Sequence, residues 1–100
     1  MMAVRESYRV VPHGMLSAGL RMFGWDAVET NYDIQHDSII IHATRDGEHK
    51  RTAKIPMHKW GLSTESKTAA VTAAHYTLRY GQSWYEQYER ALSAYRTHCV

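Results

Sequence analysis

A chain of 100 residues with one cysteine, Cys99, can close no internal disulfide. A lone thiol suits a reducing compartment, so a cytoplasmic location is expected and a disulfide-stapled secreted scaffold is excluded. Long apolar runs are missing as well. Arg5, Glu6 and Arg9 interrupt the N-terminal segment and remove the unbroken stretch that a secretory signal needs. No later segment is apolar over the length that crosses a bilayer, so no membrane role is expected. Glycine, proline and serine never gather into a linker, and no repeat of about 20–50 residues occurs. The chain therefore reads as one domain over residues 1–100, with residues 1–11 as an extended arm.

Catalytic and metal motifs are absent too. The seven histidines, at 13, 36, 42, 49, 58, 75 and 98, never fall three or four residues apart, the spacing that sets two ligands on one helical turn. They are expected to be scattered polar or surface side chains, with no metal and no cofactor. Cys99 sits where a fraying chain end prevents preorganisation, and no serine lies in a Gly-x-Ser-x-Gly context. Glu86 and Glu89 belong to the outer side of the last helix, the usual place of solvated charge. The scattered glycines build no phosphate loop. These absences point away from an enzyme and toward a binding protein.

What is present is an ordinary globular composition, 44% apolar and 22% charged, enough to form one core without staples. Leu16, Leu20 and Phe23 recur at helical spacing and predict a helix from Pro12 to Phe23, stopped by Gly24. Residues 25–32 read as a strand of poor alternation and residues 31–37 as turn material. Ile39, Ile40 and Ile41 mark a strand from Ser38 to Thr44, since β-branched side chains suit a pleated surface. Asp46-Gly47 marks a hairpin. A three-residue loop with Gly47 left-handed puts Ile39, Ile41, Ala43, Ala53 and Ile55 on one face and His42, Thr44, Lys50, Thr52 and Lys54 on the other. A two-residue loop would mix lysines into the core.

Ser63 can cap a following helix that carries Ala70, Ala73, Ala74, Thr77 and Leu78 on one side, small residues that permit close packing on the sheet. Gly81 either ends that helix or only weakens one long helix. Ser83 and Glu86 form a capping box for a last helix with Trp84, Tyr88, Ala91, Leu92 and Tyr95 on one side. The expected fold is a single α+β domain in α-β-β-β-α-α order, with a three-stranded antiparallel sheet packed by helices on one face.

Two surfaces are candidates for a partner. Residues 45–67 hold six basic and three acidic side chains, +3, while the rest of the chain sums to −1. Lys50, Arg51 and Lys54, with Lys59 and Trp60 just beyond, would offer cations and an aromatic ring to an acidic surface or a phosphate backbone. The second candidate is aromatic. Tyr76, Tyr80, Trp84 and Tyr88 recur every four residues, a stripe if the helix is continuous, and exposed Tyr and Trp anchor interfaces. Tyr80, Trp84 and Tyr88 are the residues singled out there.

The element order, together with Lys67, Ala69, Ala73, Ala74 and Leu78 in the helix after the hairpin, resembles the C-terminal half of a double-stranded-RNA-binding domain. That family opens this helix with several lysines that straddle the RNA major groove. Here Lys67 alone matches, beside Ser66, Thr68 and Ala70. The resemblance implies a similar shape.

The expected function is non-enzymatic: a compact protein that docks on a protein or ribonucleoprotein and modulates or inhibits it. In style it resembles the accessory proteins of phages and mobile elements that inhibit host defence complexes. A net charge of +2 excludes an acidic mimic of DNA. The alternative is nucleic-acid binding, with Lys50, Arg51, Lys54, Lys59 and Lys67 on phosphates and Trp60 stacking. A homodimer built on the last helix through Tyr88 or Tyr95 is compatible with both.

Overall fold

The computed structural model describes residues 11–60 and 63–98; the expected N-terminal arm, apart from Val11, and Cys99 lie outside the described residues. The elements follow the expected order: α1 (His13–Met22), β1 (Ala27–Asp33), β2 (Ser38–Thr44), β3 (Arg51–Pro56), a 3-10 turn (Met57–Lys59), α2 (Thr64–Tyr80) and α3 (Trp84–His98). The strands form one antiparallel sheet with β2 in the centre. Its inner face carries Val28, Ile39, Ile41, Ala43, Ala53 and Ile55, all buried. α1 packs beside β1, α2 lies over β3 and between the other two helices, and α3 packs on α2.

The hairpin register is the one that segregates core from charge. Ile39 faces Ile55, Ile41 faces Ala53 and His42 faces Thr52 across the ladder. Gly47 is left-handed, φ 73°, and Asp46 joins it at φ 48°, a backbone that Asp tolerates better than most residues. β1 begins two residues later than expected from the sequence. Trp25 is instead drawn inward, with its backbone N–H on Leu20 O, and Asp26 N bonds Thr44 O to lead into the ladder.

Ser63 caps α2 as expected: its hydroxyl accepts the Ser66 N–H at 3.1 Å. Ala69, Ala70, Ala73 and Ala74 are fully buried beneath α3 and against the sheet. α2 ends at Gly81, which takes φ 70° and returns its N–H to Thr77 O, a left-handed stop that a glycine adopts without strain. The C-terminal region is therefore two helices. Trp84, Tyr88 and Leu92 of α3 face the core, and the Trp84 indole N–H donates to Ala70 O at 3.2 Å.

Close contact between α1 and α2 depends on Gly19. A Cβ there would stand 2.7 Å from Val71 Cγ1, whereas a Cβ at Gly14 meets nothing within 4 Å. Gly14→Ala is expected to stabilise the fold by about 0.5 kcal/mol through helix propensity. Gly19→Ala should instead destabilise it, because overpacking costs about 1–3 kcal/mol against a propensity gain of at most about 1. Thermal unfolding checks both: Tm rises for the first variant and falls for the second.

Candidate docking surface

The outer sheet face is open to solvent among the described residues, and the hairpin lysines stand on it as expected. β1, however, lays its acidic residues on the same face. Glu29 pairs across the ladder with His42, and Asp33 with Ser38. Lys50 Nζ reaches Glu29 Oε1 at 3.2 Å, and Lys54 Nζ reaches Asp33 Oδ2 at 3.3 Å. His36 Nδ1 donates to the same Asp33 oxygen at 2.7 Å, while Gln35 N–H donates to the other at 3.1 Å. The bond from His36, then that from Lys54, pulls the Asp33 carboxyl down to about 2 against the opposing effect of desolvation. The face expected to be cationic is thus charge-balanced.

The remaining hairpin-side residues do not gather around those lysines. Arg51 pairs with Ala43, so it projects at the edge of the inner face. Lys59 places its ammonium 5.8 Å from the Tyr88 ring centre, and Trp60 packs half-buried against the core. Lys67 is half-buried at the start of α2 and lines a groove there. Of the several lysines that open this helix in the double-stranded-RNA-binding family, only one has a counterpart here, Lys67.

Gly81 also divides the aromatic stripe. Trp84 and Tyr88 turn inward, 4% and 6% exposed, with their rings stacked at 4.8 Å. Tyr76 and Tyr80, on the other side of the break, stay outside, Tyr80 being 61% exposed. Their rings pack 5.8 Å apart. Tyr85 is the exposed aromatic of α3, and Tyr95 is half-buried with its hydroxyl 3.3 Å from Thr72 Oγ1.

His75 sits beneath Tyr76 and Tyr80. It is not a surface histidine, being 8% exposed. Its Nδ1 accepts the Trp25 indole N–H at 3.0 Å, which requires that nitrogen to be unprotonated. Phe23 stacks flat on the imidazole, ring centres 4.3 Å apart, and Tyr76 and Tyr80 meet it edge-on. Burial lowers the His75 pKa below the usual imidazole value, and the positive charges of Arg45 and Arg79 lower it further.

From this cluster an apolar band runs along the α1 side of the molecule. Phe23 belongs both to the His75 stack and to a groove of about 400 Å³ between α1 and α2, lined by Met15, Gly19, Met22, Val71 and Tyr95 as well. Met22 is 88% exposed and Met15 52%. These methionines are not among the candidate residues that spacing and charge point to. One signal was available: α1 carries Met15 and Met22 in addition to Leu16 and Leu20, more apolar side chains than one core-facing stripe holds. Surrounding this band, the described residues contain no cluster of His, Cys, Asp or Glu able to hold a metal ion. No described helix is long and apolar enough to cross a membrane. No protein-family model, curated protein or solved structure matches this chain.

Proposed function

We propose that this chain is a non-enzymatic docking protein that engages another protein through the apolar band formed by Met15, Met22, Phe23, Tyr76 and Tyr80. The observation that supports it is the exposure of these large side chains around Phe23, which lines the α1–α2 groove with Met15 and Met22 and shares the His75 ring cluster with Tyr76 and Tyr80. Exposed apolar strips of this kind are characteristic of interaction sites. Methionine adapts to irregular partners, and tyrosine offers a rigid apolar body with a polar tip. The action on the partner is occlusion of the surface it covers, which modulates or inhibits that partner without chemistry.

A phosphate backbone is a poorer fit. It would have to displace Glu29 from Lys50 and Asp33 from Lys54 before either lysine could neutralise it. A homodimer through Tyr88 would have to extract a core residue.

Met22→Asp and Tyr80→Asp change exposed positions and leave the core intact. Each is expected to weaken partner binding by roughly 30-fold, the equivalent of about 2 kcal/mol for an anchor residue. Lys50→Glu with Lys54→Glu should leave that affinity within about twofold, the range of a surface change away from an interface. The measurement is capture by the tagged protein followed by titration with the captured partner. Labelled duplex and single-stranded nucleic acids are titrated in parallel, and the free protein is sized against concentration. Loss of capture in the lysine double variant, with retention in the other two, would move the site to the sheet face.

A further inference from the structure

The histidine at the centre of the band has a place in the structure that its protonation would undo. Trp25 Nε1 can only donate, so a proton on His75 Nδ1 would set two donors against each other at 3.0 Å. Every element packed against the ring contributes to its surroundings. The segment after α1 supplies Phe23 and Trp25, with the adjacent Asp26 carboxylate committed to the Asp46 N–H at 2.6 Å. The β2–β3 turn supplies Arg45, which lies 5.4 Å from the Trp25 ring centre and donates to Phe23 O at 3.1 Å. α2 itself supplies Tyr76, Tyr80 and Arg79, the last paired with Glu48 of the turn at 3.1 Å. Positive charge therefore approaches from two elements, and the Glu48 carboxylate of the turn is already engaged by Arg79.

We propose that His75 is a proton-operated latch: neutral, it clamps residues 23–25 onto α2 and assembles the docking band; protonated, it releases the Trp25 indole and Phe23 and takes the band apart. This is regulation of the same surface and takes its biological consequence from the docking reading. The sign follows from the direction of the shift. A histidine whose folded-state pKa is depressed lets the unlatched or unfolded chain bind more protons than the latched one. The latch contributes fully above the ordinary imidazole value of about 6.5 and is lost as pH falls through the lowered value in the fold.

The test uses the free protein, isotopically labelled, titrated from about pH 8 to about pH 5 and followed by NMR at the His75 imidazole, the Trp25 indole N–H, and the Phe23, Ile39 and Ile41 amides. The expected result is loss of the Trp25 indole signal and a shift of Phe23 with the His75 midpoint, below the ordinary imidazole value of about 6.5, while the Ile39 and Ile41 amides stay in place. His75→Gln, which keeps an acceptor but cannot titrate, should hold the Trp25 signal constant over the same range. A Trp25 signal indifferent to His75 protonation would overturn the proposal. So would collapse of the Ile39 and Ile41 signals at the same pH, or an unchanged pH profile in His75→Gln. No partner is present, so a failed latch leaves the Met22 and Tyr80 binding results standing, and a failed docking surface leaves the latch result standing.

Discussion

Trp84→Ala is expected to lower the free energy of unfolding by about 3–5 kcal/mol, the range for removing a buried tryptophan. A domain of this size is stable by only about 5–15 kcal/mol in all, so the loss takes roughly a fifth of the stability or more. Three contributions act together. The indole is 4% exposed and leaves a void that the neighbouring alanines are too short to fill. Its stacked contact with Tyr88 at 4.8 Å disappears. The Ala70 carbonyl also loses the indole N–H that it accepts at 3.2 Å. Urea unfolding followed by circular dichroism measures the effect, with Tyr85→Ala as the comparison. Tyr85 is half exposed, so its truncation should remain within about 0.5 kcal/mol. The adjacent aromatic residues thus differ in consequence by several kcal/mol, and any binding defect of Trp84→Ala would report unfolding.

Ile41→Ala should cost about 2–5 kcal/mol, and Ile41→Val only about 0.5–1.5. Ile41 is fully buried in the central strand, between Thr30 of β1 and Ala53 of β3. Backbone ladders on both sides hold the strand in place, so the structure cannot collapse onto the void. Beside it lie residues that are already small, Ala43 and Ala53, leaving few atoms to move inward. The urea midpoint should fall by about 0.7 M or more for the alanine variant, given a slope of about 1–3 kcal/mol per M for small proteins. An alanine variant no weaker than the valine one would show that the sheet centre relaxes, contrary to the packing described.

The same contrast explains how much was legible beforehand. The β2–β3 register followed from a local conflict, since only one pairing keeps Lys50 and Lys54 away from Ile39 and Ile41. The Ser63 cap, and the placement of Trp84, Tyr88 and Leu92 on one side of α3, followed from spacing along one helix; that this side is buried, which makes Trp84 and Tyr88 core residues rather than the partner anchors expected, did not. The charge of the sheet's outer face did not. Glu29 and Asp33 belong to a strand whose alternation is weak, and their pairing to Lys50 and Lys54 exists only once β1 joins the sheet. The aromatic stripe was legible as a period of four, but its division was not. A glycine inside a helix costs only about 1 kcal/mol, and packing of Trp84 against Ala70 stabilises the bent arrangement over a straight one.

By itself the sequence determined the order of elements, the inner sheet face and the Ser63 cap, because these depend on residues a few positions apart and on a single requirement to bury apolar side chains. Only the tertiary structure decided which lysines are neutralised, which aromatic residues remain outside, and that His75 is buried. Those outcomes depend on partners far apart in the chain: Lys50 meets Glu29 across 21 positions, and the Trp25 indole meets His75 across 50. No periodicity within one segment encodes such meetings; they arise when the helices and the sheet pack around one core.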